Sequence, residues 1–264
     1  MPLREPFAGE PPAEVPLARA PLVRVLAQIR FPTIAAIGEP SGIVPFQEQI
    51  RVNYPIGDQE SIQHFAFNLA TAESAKPQSD VIWRFESVDR AWRVSLSRNF
   101  LALETKRYTS RKDFIERMTA LIDAVERNFN PQVTLRVGLR YIDRIEDEAI
   151  QHLHDLVKSD FLGAQRSFGD AVRHVWTDAQ LNTEEGALIT ARWGSLPPNA
   201  TTDPNVLEPA KDKSWVLDLD MFTTEQGEFK VAKLAPQLEA FAKRIYAVFR
   251  YMVTDKFLEY YGSR

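Results

Sequence analysis

Cysteine is absent from the 264 residues. That absence removes disulfides, thiolate nucleophiles and cysteine-based zinc sites together, and it fits a reducing compartment. No apolar run approaches the length needed to span a bilayer, and the opening MPLREPFAGEPP has no hydrophobic leader core; the expectation is a cytoplasmic protein with no membrane partner. Positive charge is not in excess either. Lys and Arg number 32 against 36 Asp and Glu, a formal charge of −4, so there is no bulk attraction to phosphate backbones and nucleic acid is a disfavoured partner. The phosphate-loop, dinucleotide, nucleophile-elbow and zincin signatures are all missing. Their absence points away from those enzyme classes and toward a binding protein, with no cofactor implied.

What is present is an ordinary globular composition, 44% hydrophobic, in a chain long enough to bury roughly 70–75% of its unfolded surface. Residues 1–21 hold Pro2, Pro6, Pro11, Pro12, Pro16 and Pro21, a spacing that forbids helix and starves strands of donors, so a flexible, extended arm is expected. From Leu22 the pattern is regular. Val23, Val25, Ala27, Ile29 and Phe31 alternate with Arg24, Leu26, Gln28 and Arg30, which predicts a half-buried strand. A short helix is expected from Pro45 to Tyr54, then strands at 62–70, 81–87, 92–97 and 100–105. Ser110 with Asp113 predicts a helix start, and Phe114, Met118, Leu121, Ile122 and Val125 keep to one stripe as far as Asn130-Pro131.

The second half repeats the order. A strand is expected at 134–145, a helix at 146–157, strands at 171–180, 187–193, 215–223 and 229–232, and a long closing helix with Leu234, Leu238, Phe241, Ile245, Val248 and Met252 on one stripe. AQIRFPTI at 27–34 is echoed by VGLRYIDRI at 137–145, and Trp92, Val94 and Leu96 by Trp215, Leu217 and Leu219. The expected fold class is therefore α+β: two tandem βαββββα units, 22–131 and 132–264, fused into antiparallel sheet with helices on one face and related by a pseudo-twofold axis. The offset drifts from 110 at the Arg-aromatic strand to 123 at the Trp strand, and the long loop at 194–214 accounts for the drift.

That order of elements resembles the TATA-box-binding-protein-like arrangement over nearly all of 22–260. None of that family's base-wedging aromatics can be placed here, so its DNA binding is not carried over. Pro21-Leu22 leading into IRF, FQEQIRVNYP, WRVSLSRNFLALETKRYTSRKDF and LRYIDRI resemble a sporadically distributed bacterial protein family with no assigned activity, which implies similar boundaries and little else.

Period-two counting puts Arg30, Arg140, Arg84, Arg93 and Glu104 on the sheet face away from the helices. Arg30 and Arg140 are planar forks suited to a carboxylate or phosphate. A protein partner or small anionic ligand bound at this face or in the cleft between the lobes is the expected function. The plainer reading is a face of cross-strand ion pairs. Asp218-Leu219-Asp220 puts two carboxylates on one side of a strand, the arrangement for a metal in phosphoryl-transfer or nucleic-acid chemistry, and this is the enzymatic alternative. Sequence-independent nucleic-acid binding along the sheet is a third. His152 and His154 are two apart on an expected helix and point to opposite sides, so they do not form a chelate. The closing aromatics Phe257, Tyr260 and Tyr261 suggest a docked terminus or a homodimer contact.

Overall fold

The computed structural model describes residues 4–64, 78–223 and 225–262. In chain order these form β1 (Leu22–Arg30), α1 (Pro40–Ile50), β2 (Ile56–His64), β3 (Gln78–Glu86), β4 (Trp92–Ser97), β5 (Phe100–Thr105) and α2 (Arg111–Phe129). They continue as β6 (Val133–Thr134), β7 (Arg136–Ile145), α3 (Leu153–Leu156), α4 (Ala164–Phe168), β8 (Val175–Asn182), β9 (Leu188–Leu196), β10 (Ser214–Phe222), β11 (Gly227–Glu228), α5 (Val231–Met252) and α6 (Asp255–Tyr260). The fold is mixed α+β, as the alternating patterns predict. Nine strands make one antiparallel sheet in the order β2-β3-β4-β5-β1-β7-β10-β9-β8.

The two helical stripes cover one face of that sheet. Val25, Ala27 and Ile29 of β1 and Leu139 of β7 have no exposure at all, nor do Phe114, Met118, Ile122 and Val125 of α2 or Leu238 of α5. Burial of that kind stabilises by roughly 1.5–3 kcal/mol for each large side chain. The Ser110 hydroxyl accepts from the Asp113 amide at 3.1 Å and opens α2. Asn130, at φ 45°, closes it in the left-handed region, which Asn tolerates better than most residues. Side chains from both halves of the chain belong to one continuous core. Among the described residues no helix is long and apolar enough to cross a membrane.

Several local expectations need correction. The strand expected at 229–232 does not form. Gly227–Glu228 instead pairs with Val133–Thr134 in a separate two-stranded ribbon, Phe229 sits edge-on against Phe31 with ring centroids 5.6 Å apart, and α5 begins at Val231. The Glu126 carboxylate fixes that start, accepting from the Val231 amide at 2.9 Å and from Lys230 at 2.8 Å. Four residues are too few for periodicity to separate a strand from a helix entrance. The helix expected at 146–157 is a 3-10 turn over Asp147–His152 running into α3; Asp147 at φ 53° departs from the right-handed backbone a regular start needs. Pro45 lies inside α1 rather than in its first turn, which Pro40 occupies. The strand expected at 62–70 coincides with the end of β2; residues 65–70 lie outside the described residues.

The proline-rich arm, expected to be flexible, is tied down from residue 4 onward. The Val15 amide donates to the Tyr246 hydroxyl at 2.8 Å, and the amides of Ala18 and Arg19 donate to the carbonyls of Gly262 and Tyr261 at 3.0 Å. Arg244 on α5, 1% exposed, donates to the carbonyls of Pro6 (2.8 Å) and Gly9 (2.9 Å), to Glu185 (2.8 Å) and to Glu184. None of these partners is local to the arm, so proline spacing alone does not reveal them.

Candidate functional site

The face turned away from the helices carries the residues singled out from the sequence, and most of them hold one another. Arg93 donates to Glu86 (2.8 Å) and Glu104 (3.0 Å), and Arg24 approaches the same Glu104 at 3.3 Å. Arg84 is held by Glu60 (2.8 Å) and the Ser95 hydroxyl (2.5 Å). Beyond β1, Arg140 grips Asp218 through two nitrogens (2.8 and 2.7 Å) and Asp203 through the third (3.0 Å). Arg30 is exposed at the end of its strand, and among the described residues no side-chain partner holds it. The register pairs Arg30 with Arg136 and Arg140 with Leu26, so the two arginines expected to act together are not adjacent.

Part of this face is also covered. The segment 197–213 folds over β7 and β10, where Leu207 packs with Ile142, Leu196 and Val216 in a second small apolar cluster. Arg24 donates to the Val206 carbonyl at 3.2 Å and Arg144 to that of Glu208. Opposite charges on neighbouring strands fall within reach of one another, so the mixed-sign face is knitted mainly to itself. Replacing Arg140 by Ala leaves Asp218, 2% exposed, with only the more distant Arg192 at 3.4 Å. The expected loss is about 2 kcal/mol, read as a lower urea midpoint at unchanged slope; Asp218→Asn in the same background recovers part of it.

The Asp218/Asp220 pair is likewise taken up by cations. Asp218 is bound by Arg140 and Arg192, and Asp220 by Arg136 at 3.2 Å. Arg136 also lies over the Phe222 ring at 4.3 Å. Burial pushes the Asp220 carboxyl upward against the pull of those arginines. Among the described residues no group of three His, Asp or Glu side chains is placed to hold a metal ion.

A different site lies on the helix side. A cavity of about 580 Å³ opens between the arm, α2, α5 and the strands β7 and β10, with Leu22, Tyr141, Asp143, Leu219, Ile245 and Phe249 in its wall. Asp143 lies between Leu22 of β1 and Leu217 of β10, is 9% exposed, and among the described residues no hydrogen bond or ion pair reaches its carboxylate. Burial alone pushes its pKa up to about 7, because nothing nearby stabilises the charged form. Elsewhere in the same wall, toward Glu14 and Arg111, the hydroxyls of Tyr108 and Tyr141 are 3.4 Å apart, their rings edge to face at 5.6 Å. Burial raises both phenols above their usual range, so they stay neutral. Farther out, Arg111 bridges Glu14 of the arm (3.1 Å) and Glu239 of α5 (3.3 Å).

Sequence reasoning passed over Tyr141 and Asp143, although the signal was there. In VGLRYIDRI the residues Val137, Leu139, Tyr141, Asp143 and Ile145 share the core-facing parity. A carboxylate on that side of a strand is the anomaly, and the arginines on the opposite parity drew the reading away from it. The contribution of the arm and of α5 had no local signal at all. A scan against protein-family models finds no match, and a search of the curated proteins finds no similar sequence.

Proposed function

We propose that this chain is a binding protein whose ligand is a small molecule held in the cavity on the helix side, rather than an anion held on the charged sheet face. The observation that carries the reading is the unpartnered Asp143 carboxylate in the wall of a cavity of about 580 Å³. Small-molecule sites typically measure about 300–1,000 Å³, are mainly apolar, and use a few polar groups to orient the ligand. A buried carboxylate with no partner is unfavourable in an apolar surround unless something else supplies the missing donor. The sheet face has less to offer, since Arg140, Arg84, Arg93 and Glu104 are already engaged.

The duplication remains part of this reading. The Arg-aromatic motifs are offset by 110 positions, and at that offset Gln28 is the counterpart of Gly138, which is also its partner across β1 and β7. An antiparallel pair must contain one such point, and its falling inside both strands fits a twofold axis passing between those two residues. Tyr141 and Asp143 then correspond to Phe31 and Thr33, so the two units have diverged to leave one ligand site.

Nile red, a neutral apolar dye of suitable size, tests the cavity. Its fluorescence should rise and saturate at one dye per chain, and Ala242→Phe on α5 or Ile115→Trp on α2 should abolish the signal in protein that still melts cooperatively. Dye binding that fails to saturate, or that ignores both variants, would overturn the reading.

A further inference from the structure

We infer that the ligand of this cavity is an organic amine with an apolar body, its cationic nitrogen seated on the Asp143 carboxylate. The inference rests on the cavity reading above and goes on to name the chemical class.

The charges of the lining decide the sign of the ligand. Glu14, Glu116, Asp143 and Glu239 face it against Arg111 and Lys112. Arg111 is already shared between Glu14 and Glu239, and Lys112 is directed to Glu116 at 3.8 Å, with its side chain 83% exposed. An anionic ligand would therefore meet no unshared cation inside, only an unshared carboxylate. A cationic ligand meets Asp143, which accepts its N–H groups and which nothing else neutralises; the lone buried charge becomes a pair.

The remaining wall fits the rest of such a molecule. Tyr108, Tyr141, Tyr246 and Phe249 present rings to the space, and aromatic faces attract ammonium groups, more strongly where water is excluded. The Tyr108–Tyr141 hydroxyl pair, which lies toward the Glu14–Arg111 end, offers a polar contact to a part of the ligand away from its nitrogen. Leu22, Ile115, Leu219 and Ile245 offer apolar surface to a hydrocarbon body. A bare metal cation is a poor alternative, since Asp143 has no second or third ligand beside it among the described residues.

Protonation adds a signature. Burial raises the Asp143 pKa to about 7; around it lie Tyr141 on its own strand, Leu22, Leu219 and Tyr261, the last also within the field of Arg19 and Glu146, and across the cavity the Glu14–Arg111–Glu239 cluster. An ammonium group favours the carboxylate, so binding below pH 7 drives a proton off Asp143.

Isothermal titration calorimetry with 4-phenylbutylamine, 4-phenylbutanol and 4-phenylbutyrate separates the possibilities. The expected result at pH 8 is one amine bound per chain at least tenfold more tightly than the alcohol, with no binding of the acid. Asp143→Asn should erase the preference for amine over alcohol, and Asp143→Glu should retain it. At pH 6 the heat of amine binding should vary with the ionisation enthalpy of the buffer, reporting the released proton. Equal affinity for amine and alcohol, preference for the acid, or an amine preference that survives in Asp143→Asn would each overturn the amine class while leaving the Nile red site standing. Loss of the Nile red site would instead remove the cavity reading, and the amine with it.

Discussion

Arg244→Ala is expected to lower stability by about 3–5 kcal/mol, the usual range for deleting one partner of a buried charge network, and to drop the melting temperature by about 6–10 °C in a chain of this size. The guanidinium is 1% exposed and spends its donors on two carboxylates and two backbone carbonyls. Its removal strands Glu185, whose side chain is 18% exposed, and leaves the Pro6 carbonyl without its donor. Glu184 loses less, because the Gly9 amide still donates to it at 2.9 Å. The arm should detach locally before the body unfolds, so limited proteolysis within residues 4–20 should accelerate more than the melting shift alone explains. An Arg244→Ala protein that melts within a degree or two of the parent would show that the network contributes little. Arg244→Lys, which restores the charge but not the fork, is expected to fall between them.

Asp143→Asn is expected to act in the opposite direction at high pH. The folded-state pKa of about 7 lies above the unfolded value of about 3.9, so the folded chain holds this proton more tightly than the unfolded one. The stabilisation that proton brings is complete below pH ~4 and is lost as pH rises through 7. One proton over about three pH units corresponds to on the order of 4 kcal/mol. Asn mimics the neutral acid at all pH values. The variant should therefore match the parent near pH 4 and exceed it by up to that amount at pH 8, as a melting temperature higher by about 8 °C. Other carboxylates in the chain titrate with their own slopes, so the difference between variant and parent is the quantity to read. A difference that stays flat from pH 4 to 8 would mean that Asp143 is ionised in the folded chain throughout.

The two halves of the chain were unequally legible. Strands β4 and β5 and the capped α2 can be read directly, because alternation, a tight turn at Arg98-Asn99 and a Ser-x-x-Asp cap are all local devices. The face toward which each strand turns was also readable, and with it a surface of cross-strand ion pairs, but not which arginine meets which carboxylate. Where tertiary contacts set the outcome, local patterns failed. Phe229 leaves the strand pattern because Phe31 offers it an aromatic partner almost two hundred positions away, and the arm is ordered by α5, at the other end of the chain. The cavity depends on all of these pieces at once, so only its anomaly, an acid on a core-facing position, was present in one segment.

The seam between β1 and β7 has a consequence in time as well as in space. In the finished sheet β1 is interior, flanked by β5 and β7. While the chain is being synthesised, β5 and α2 emerge before β7, so the first five strands can assemble with β1 as their rim. That rim, LVRVLAQIR, is long and largely apolar, the kind of edge that recruits other chains. The outer strands of the completed sheet are milder, β2 reading IGDQESIQH and β8 VWTDAQLN. Only six residues separate α2 from β7, so β7 soon covers that rim and becomes the rim itself, RVGLRYIDRI, until β10 is made; the open edge passes from β1 to β7 before β10 closes it.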